Sequence, residues 1–541
     1  MWKIWIAVVV CLQAGASMGA AHAEAQSGAD APVVPAAVIV DPQGRDGLAP
    51  PVANDVREAF ADGAIADAIM AMIAERAPDA DAGESIDRAA LEVFYRARNG
   101  APLWVSDEGP SERARALAGE IANAAAFGLD PAAFPLPDFA QVSGPQALGR
   151  ADYALSMAAL GYARHARGGR IPEPAKMLNS NLDRKPQLHE PADVLVRLAA
   201  AEDMAGALAA LHPVHPQFEL LRQAWLKETG GDGRGPLATN ARRLRANMEF
   251  WRWMWDDLGE LHVFNNIPEF MQRVYLNGKI VRYERIVVGE IGKQSSVYSR
   301  QLKSVSLRPR WRVPESIMVH ELWPSLIRGG GLMRQHGLEI ATKSGEPRDW
   351  RKIDWSKDDI RNYLVFQPPG GKSALGFVKF NFPSQHTIFM HDTPDKWMFN
   401  KPQRTLSHGC LRLKNPLHLT EIVLDYAKGW DKAKVKDLID RGPLDNEIEI
   451  EKRLPIHLAY FTAWADDDGS VRYFNDIYGH EKRVIQALGG EWSKINKGRD
   501  HLAKPVPRFN PEKLARSAPA QRETTGDNAG DILSNVFKLG F

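Results

Sequence analysis

Cysteine is almost missing from this chain: among 541 residues there are 2, Cys11 and Cys410. Cys11 lies in an apolar stretch over residues 4–12, behind Lys3 and ahead of Ala21-His22-Ala23. A positive start, a short apolar run and an A-x-A pattern make up a cleaved export signal, so residues 1–23 are expected to be removed and the mature protein to be periplasmic. Cys410 is then the lone thiol of an exported protein, which excludes an internal disulfide. An unpaired thiol in an oxidising compartment is better explained by chemistry than by packing.

Other absences narrow the function. Past the signal no run is long and apolar enough to span a bilayer. Basic and acidic residues nearly cancel, 68 Lys+Arg against 67 Asp+Glu, which gives no footprint for nucleic acid. No Walker loop, dinucleotide fingerprint or internal repeat is present. No cofactor is expected.

What remains reads as a multidomain α+β protein. Residues 24–52, rich in Ala, Pro and Gly, are expected to be a flexible leader. Residues 53–228 carry apolar stripes at helical spacing, such as Leu117, Ile121 and Ala125, and predict an α-helical domain. Four glycines and a proline between Thr229 and Pro236 mark a linker, taken as 229–245. From 246 to 500 strand patterns dominate. Residues 263–276 and 280–288 flank Asn277-Gly278, a hairpin signal, and further strands are expected at 304–307, 363–366, 377–382 and 387–390. A polar and helical insertion at 314–361 interrupts them and predicts a cap, with Gly329-Gly330-Gly331 as its hinge. Residues 501–541 are expected to be a disordered tail.

Chemistry gathers around Cys410. A thiol needs a base or a cationic neighbour to become a nucleophile. His391, at the end of a predicted strand, is the candidate base, and Asp392 is placed to orient its ring through side chain or carbonyl. Gly409 permits a tight turn, so the amides of Gly409 and Cys410 are candidate oxyanion donors. Arg412, two residues past Cys410, points to the same side of an extended segment and is either a substrate contact or a structural ion pair. A metal site from His386, His391, His408 and Cys410 is the weaker alternative, since these spacings match no common zinc pattern.

His391, fifteen intervening residues, and then Ser407-His408-Gly409-Cys410-Leu411-Arg412 resemble the signature of the L,D-transpeptidase (YkuD-type) catalytic domain. The likeness extends to His391-Asp392-Thr393-Pro394, Gln367-Pro368-Pro369-Gly370 with Ala374-Leu375-Gly376, Trp311-Arg312-Val313-Pro314 and Asp476-Ile477-Tyr478-Gly479, as in the large YcbB-type subgroup with its helical scaffold domain. The resemblance implies a mainly β sandwich with a capping insertion, Cys410 as nucleophile, His391 as base, and Ser407, His408, Arg412 and Phe389 around the substrate. It implies a peptidoglycan tetrapeptide stem as donor. The thiolate would attack the L-centre carbonyl of the third residue, expel D-Ala, and pass the acyl group to a stem amine as a 3→3 cross-link. Water as acceptor would give a carboxypeptidase, and an outer-membrane protein as acceptor would give wall anchoring.

The chain also departs from the subgroup. Only about twenty residues, 226–245, stand where relatives carry a separate peptidoglycan-binding module. Phe389 replaces a common Tyr, and Ser373 a common Asn. A sortase-like enzyme shares the order His, Cys, Arg but places its cysteine after a Thr-Leu-x-Thr strand, unlike Thr405-Leu406-Ser407-His408-Gly409-Cys410. A non-enzymatic wall-binding protein would not need Cys410.

Overall fold

The computed structural model describes residues 63–75, 81–370 and 373–517. The expected signal, leader and final stretch of the tail lie outside them. The described residues all fall in one compact unit.

The N-terminal part is helical, as its periodicity predicts. Helices Gly63–Ala74, Ala82–Ala97, Glu112–Ala122 and Pro145–Gly168 pack around Ile69, Leu91, Tyr95, Leu117, Ile121 and Leu155, all essentially inaccessible. Asp152 ties this core together. Its buried carboxylate accepts the amides of Leu103 and Trp104 at 2.8 and 2.6 Å, so a stretch without secondary structure is still hydrogen-bonded.

The expected linker is only half a linker. Thr239–Arg252 is a helix whose Ala241, Leu244 and Trp251 are buried in the same core as Phe218, Leu221 and Trp225 of the preceding helix and Leu261 and Val263 of the sheet. Buried arginines stitch across the boundary. Arg167 donates to the carbonyls of Arg252 and Met254 at 2.7 and 2.8 Å, and Arg184 to Ser299 Oγ and the Leu458 carbonyl at 2.6 Å.

The C-terminal part is built on an 11-stranded sheet, with a four-stranded sheet in the insertion region that takes in the strand expected at 363–366. The strands of the larger sheet are β1 (Leu261–Asn266), β2 (Met271–Leu276), β3 (Lys279–Gly289), β4 (Tyr298–Gln301), β5 (Ser304–Leu307), β6 (Val378–Asn381), β7 (Met390–His391), β8 (Thr405–Ser407), β9 (Leu411–Leu413), β10 (Asn446–Glu449) and β11 (Pro455–Ala459). The spatial order is β10-β5-β6-β7-β9-β3-β2-β1-β11-β4, with β8 beside β3. β4 and β5 sit near opposite ends of this order yet are separated in sequence only by Leu302 and Lys303. So short a link forces the sheet to curl until its ends approach. The expected mainly β sandwich is thus borne out as one curled sheet, whose two halves are joined along the long β3 strand and fold over a common core. The predicted strand 263–276 is in fact two, turning where Phe270 takes φ +59°, and Asn277-Gly278 closes the β2–β3 hairpin with both residues at positive φ.

The insertion has a core of its own, including Val319, Trp323, Leu326, Ile340 and Val365. Its helical stretch 315–327 carries a π-turn at Met318–Leu322, a rare widening that often marks a functional position. Gly330 adopts φ +72°, and a Cβ there would meet the Trp350 ring. The expectation of a disordered tail from 501 is corrected for its first part. Phe509 packs on the insertion with its ring against Trp323, Pro511–Ser517 is helical, and the His501 amide donates to Ser180 Oγ at 3.1 Å. A few apolar and hydrogen-bonding residues dock a segment whose average composition reads as polar.

Candidate active site

The sheet sets which side chains meet. Along β6, Val378 and Phe380 face the core, which turns Lys379 outward; along β9, Leu411 and Leu413 face the core, which turns Cys410 and Arg412 outward. The ladders align these positions. Lys379 pairs with His391 across β6–β7, and His391 with Arg412 across β7–β9. The Leu411 amide donates to the Phe389 carbonyl at 3.0 Å, setting Cys410 beside Phe389. Lys379, Phe389, His391, Cys410 and Arg412 thus rise from one face of neighbouring strands.

His391 is buried, and its Nδ1–H donates to the Asp392 carbonyl. The carbonyl fixes the tautomer and leaves Nε2 as the basic nitrogen. Burial, with the Arg412 charge adding, pushes the imidazole pKa down to about 3, so the ring is neutral. The Asp392 carboxylate does not orient the ring. It accepts the Phe377 amide at 3.2 Å and pairs with Lys396. Gly376 at φ +60° makes room, because a Cβ there would collide with this carboxylate.

Cys410 is half-buried, the free cysteine of the described residues. Burial pushes its thiol up to about 11, against the opposing pull of the Phe389 amide and the charges of Lys379 and Arg412. The sulfur lies 4.0 Å from the Thr387 carbonyl. Thr387 holds φ +51°, a strained position for a β-branched residue. A resting pair of neutral thiol and neutral imidazole follows, rather than a preformed ion pair.

The loop before the cysteine is tied internally. Ser407, buried, donates from Oγ to the Cys410 carbonyl at 2.6 Å and accepts the Gly409 amide at 3.2 Å. Ser295 Oγ donates to the Gly409 carbonyl at 2.6 Å. Two expectations change here. Ser407 braces the loop instead of facing substrate. The Gly409 amide is already engaged, which leaves the Cys410 amide as the candidate oxyanion donor. Gly409 is needed for its φ of +112°.

Arg412 Nη1 donates to Asp395 Oδ2 at 3.0 Å and lies 3.4 Å from Thr393 Oγ1, so it pins the loop after His391. His408 Nε2 lies 2.8 Å from Glu321 Oε1, on the π-turn of the insertion, and Lys293 reaches the same oxygen at 2.9 Å. Burial alone would raise Glu321, but His408 and Lys293 outweigh it and hold the carboxylate at about 2. His386 is directed elsewhere, to Asp183 at 3.0 Å and His501 at 2.6 Å. Lys379, Thr387 and Glu321 were missed from the sequence. Only the period-2 pattern of Val378-Lys379-Phe380-Asn381 carried a signal for the first.

Residues 89–224 match a family model described as a scaffold domain, and residues 260–441 one described as an L,D-transpeptidase catalytic domain. A Haemophilus influenzae protein named "Putative L,D-transpeptidase" is 30% identical over 248 residues, covering 46% of this chain and 48% of its own length. The chain therefore spans about half of that relative. A solved L,D-transpeptidase from Mycobacterium smegmatis aligns over 37% of this chain and 58% of its own, at 12% identity and a TM-score of 0.17, too slight a likeness to carry an argument. By these matches the chain carries a scaffold domain followed by an L,D-transpeptidase catalytic domain.

Proposed function

We propose that this protein is an exported peptidoglycan L,D-transpeptidase that uses Cys410 as its nucleophile. The observation that carries the reading is the shared face: the β7–β9 ladder pairs His391 with Arg412 and sets Cys410 beside Phe389, so His391 and Cys410 rise two positions apart from one face, with the imidazole neutral and its Nε2 unprotonated. His391 Nε2 takes the thiol proton as sulfur attacks the L-centre carbonyl of the third residue of a tetrapeptide stem. The Cys410 amide stabilises the oxyanion. The C–N bond then breaks, the imidazolium returns its proton to the departing D-Ala amine, and a thioester remains. A side-chain amine of a second stem gives up a proton to His391, attacks the thioester, and expels the thiolate as the 3→3 amide forms. A proton transfer of this kind from a positioned base contributes about 10²–10⁴-fold.

The A-x-A pattern at Ala21-His22-Ala23 supports export, and no helix among the described residues is long and apolar enough to cross a membrane. Water as acceptor would make the enzyme an L,D-carboxypeptidase, and a protein amine would make it a wall-anchoring transferase. The test is incubation of the mature protein with purified tetrapeptide stems, read by mass. Loss of D-Ala with dimer formation, and a transient acyl adduct absent in Cys410→Ala, is the expected result. Products unchanged in Cys410→Ala would overturn the assignment.

A further inference from the structure

The face that carries Cys410 also carries two cations, Arg412 and Lys379, and they are not equivalent. Arg412 is matched by Asp395 at 3.0 Å. Lys379 is half-buried with its Nζ 4.5 Å above the centre of the Phe389 ring, and among the described residues no carboxylate lies within ion-pair distance of it. An aromatic face is a weak partner for an ammonium compared with a carboxylate. Burial pushes the Lys379 ammonium down from its ordinary value, and the opposing pull of Cys410, Glu447 and Asp445, none of them in ion-pair contact with it, is too weak to offset that. Phe389 is the neighbour of Cys410 in the ladder, so the ammonium stands on the side of the sheet that carries the sulfur.

We propose that Lys379 is an anionic subsite, and that it receives the C-terminal carboxylate of the donor, on the residue that is expelled. This rests on the acyl-transfer reading above. The C-terminal carboxylate stands about one residue spacing, roughly 3.5 Å, from the carbonyl that sulfur attacks. A subsite there selects donors that end one residue past the reacting centre. Arg412, already spent on Asp395, does not supply that recognition. Lys379 acts by holding the leaving residue, and Cys410 and His391 carry the bond changes.

Two measurements test this. The first compares a tetrapeptide donor bearing a free C-terminal carboxylate with the same peptide amidated there. Wild type is expected to favour the acid by ten- to hundredfold in kcat/KM. Lys379→Met is expected to erase that preference mainly through KM, and Lys379→Arg to keep part of it. The second needs no stem peptide: alkylation of Cys410 by anionic iodoacetate and by neutral iodoacetamide. Both reagents attack the same thiolate, so their rate ratio cancels any change in thiol ionisation or fold. That ratio is expected to fall about three- to tenfold in Lys379→Met. Equal losses on both donors with an unchanged ratio would overturn the proposal. If wild type consumes neither donor, the transpeptidase reading fails, and the ratio decides the subsite by itself: a fall supports it and no change overturns it.

Discussion

At the turn between β1 and β2 the buried Glu269 carboxylate meets two nitrogens of Arg273 at 2.5 and 2.8 Å. It also accepts the Tyr283 hydroxyl at 2.8 Å and the Asn266 amide at 3.3 Å. The Arg273 guanidinium lies over the rings of Trp464 and Tyr283. Burial would raise Glu269, but these donors outweigh it and hold its carboxyl below the ordinary range. The face that carries Cys410 is built the other way. Its thiol is pushed up, its imidazole pushed down, and its lysine has a ring where Glu269 has a guanidinium. A saturated charge cluster stabilises one backbone arrangement. An unsaturated cluster keeps binding capacity for something that arrives later. The same curled sheet holds both, so the difference lies in which positions were left without partners.

The largest effects should come from the unsaturated face. His391→Ala is expected to slow acylation by about 10²–10⁴-fold in single-turnover assays with little change in melting temperature. Equal activity in His391→Ala, with His408→Ala inactive, would reverse the roles of the two histidines. The pH profile sharpens this. A thiol pushed up to about 11 is protonated at neutral pH, so its alkylation by iodoacetamide should climb about tenfold per pH unit from 7 to 10 without levelling. A plateau beginning near pH 6 would mean a preformed thiolate–imidazolium pair. The saturated cluster should respond in stability instead. Glu269→Ala strands the Arg273 charge and is expected to cost about 3–5 kcal/mol in urea unfolding, with turnover per folded molecule unchanged. If that variant melts like wild type but loses turnover, the two clusters are not distinct in kind.

Much of this was legible because its signals are local. The His391 and Ser407–Cys410 elements are short runs, the Asn277-Gly278 hairpin needs only its own dipeptide, and 304–307 alternates cleanly between Ser and apolar residues. The roles within the run were not legible. Ser407 and the Gly409 amide satisfy each other, which depends on the loop geometry set by φ +112° at Gly409. Lys379 joins the site only through a ladder linking strands separated by a turn, and Arg412 finds Asp395 through the path of the loop after His391. The break in 263–276 had a signal in Pro268, but apolar residues on both sides read as one strand. The half-helical linker and the docked start of the tail were hidden for a common reason. Each is held by packing against distant elements, and composition averages that away.

The smallest expected effect concerns the insertion, where the two kinds of cluster meet. Glu321 is saturated by His408 and Lys293, yet it stands on the π-turn of an insertion that packs over its own core. One oxygen therefore joins the catalytic loop, the 290–297 segment and the cap. A carboxylate held at about 2 is ionised throughout the neutral range. Its folded pKa lies below the unfolded one, so the contact's contribution is complete above about 4.5 and fades as pH falls toward 2. Glu321→Gln keeps an acceptor for His408 but removes the charge. If the contact positions the cap for a bulky acceptor, acyl transfer should fall about three- to tenfold while alkylation of Cys410 by iodoacetamide is unchanged. Parallel loss of both rates would instead assign Glu321 to the shape of the catalytic loop. Full transfer in the variant would leave the insertion as a surface elaboration, and the contrast between saturated and unsaturated clusters would then stop at the sheet.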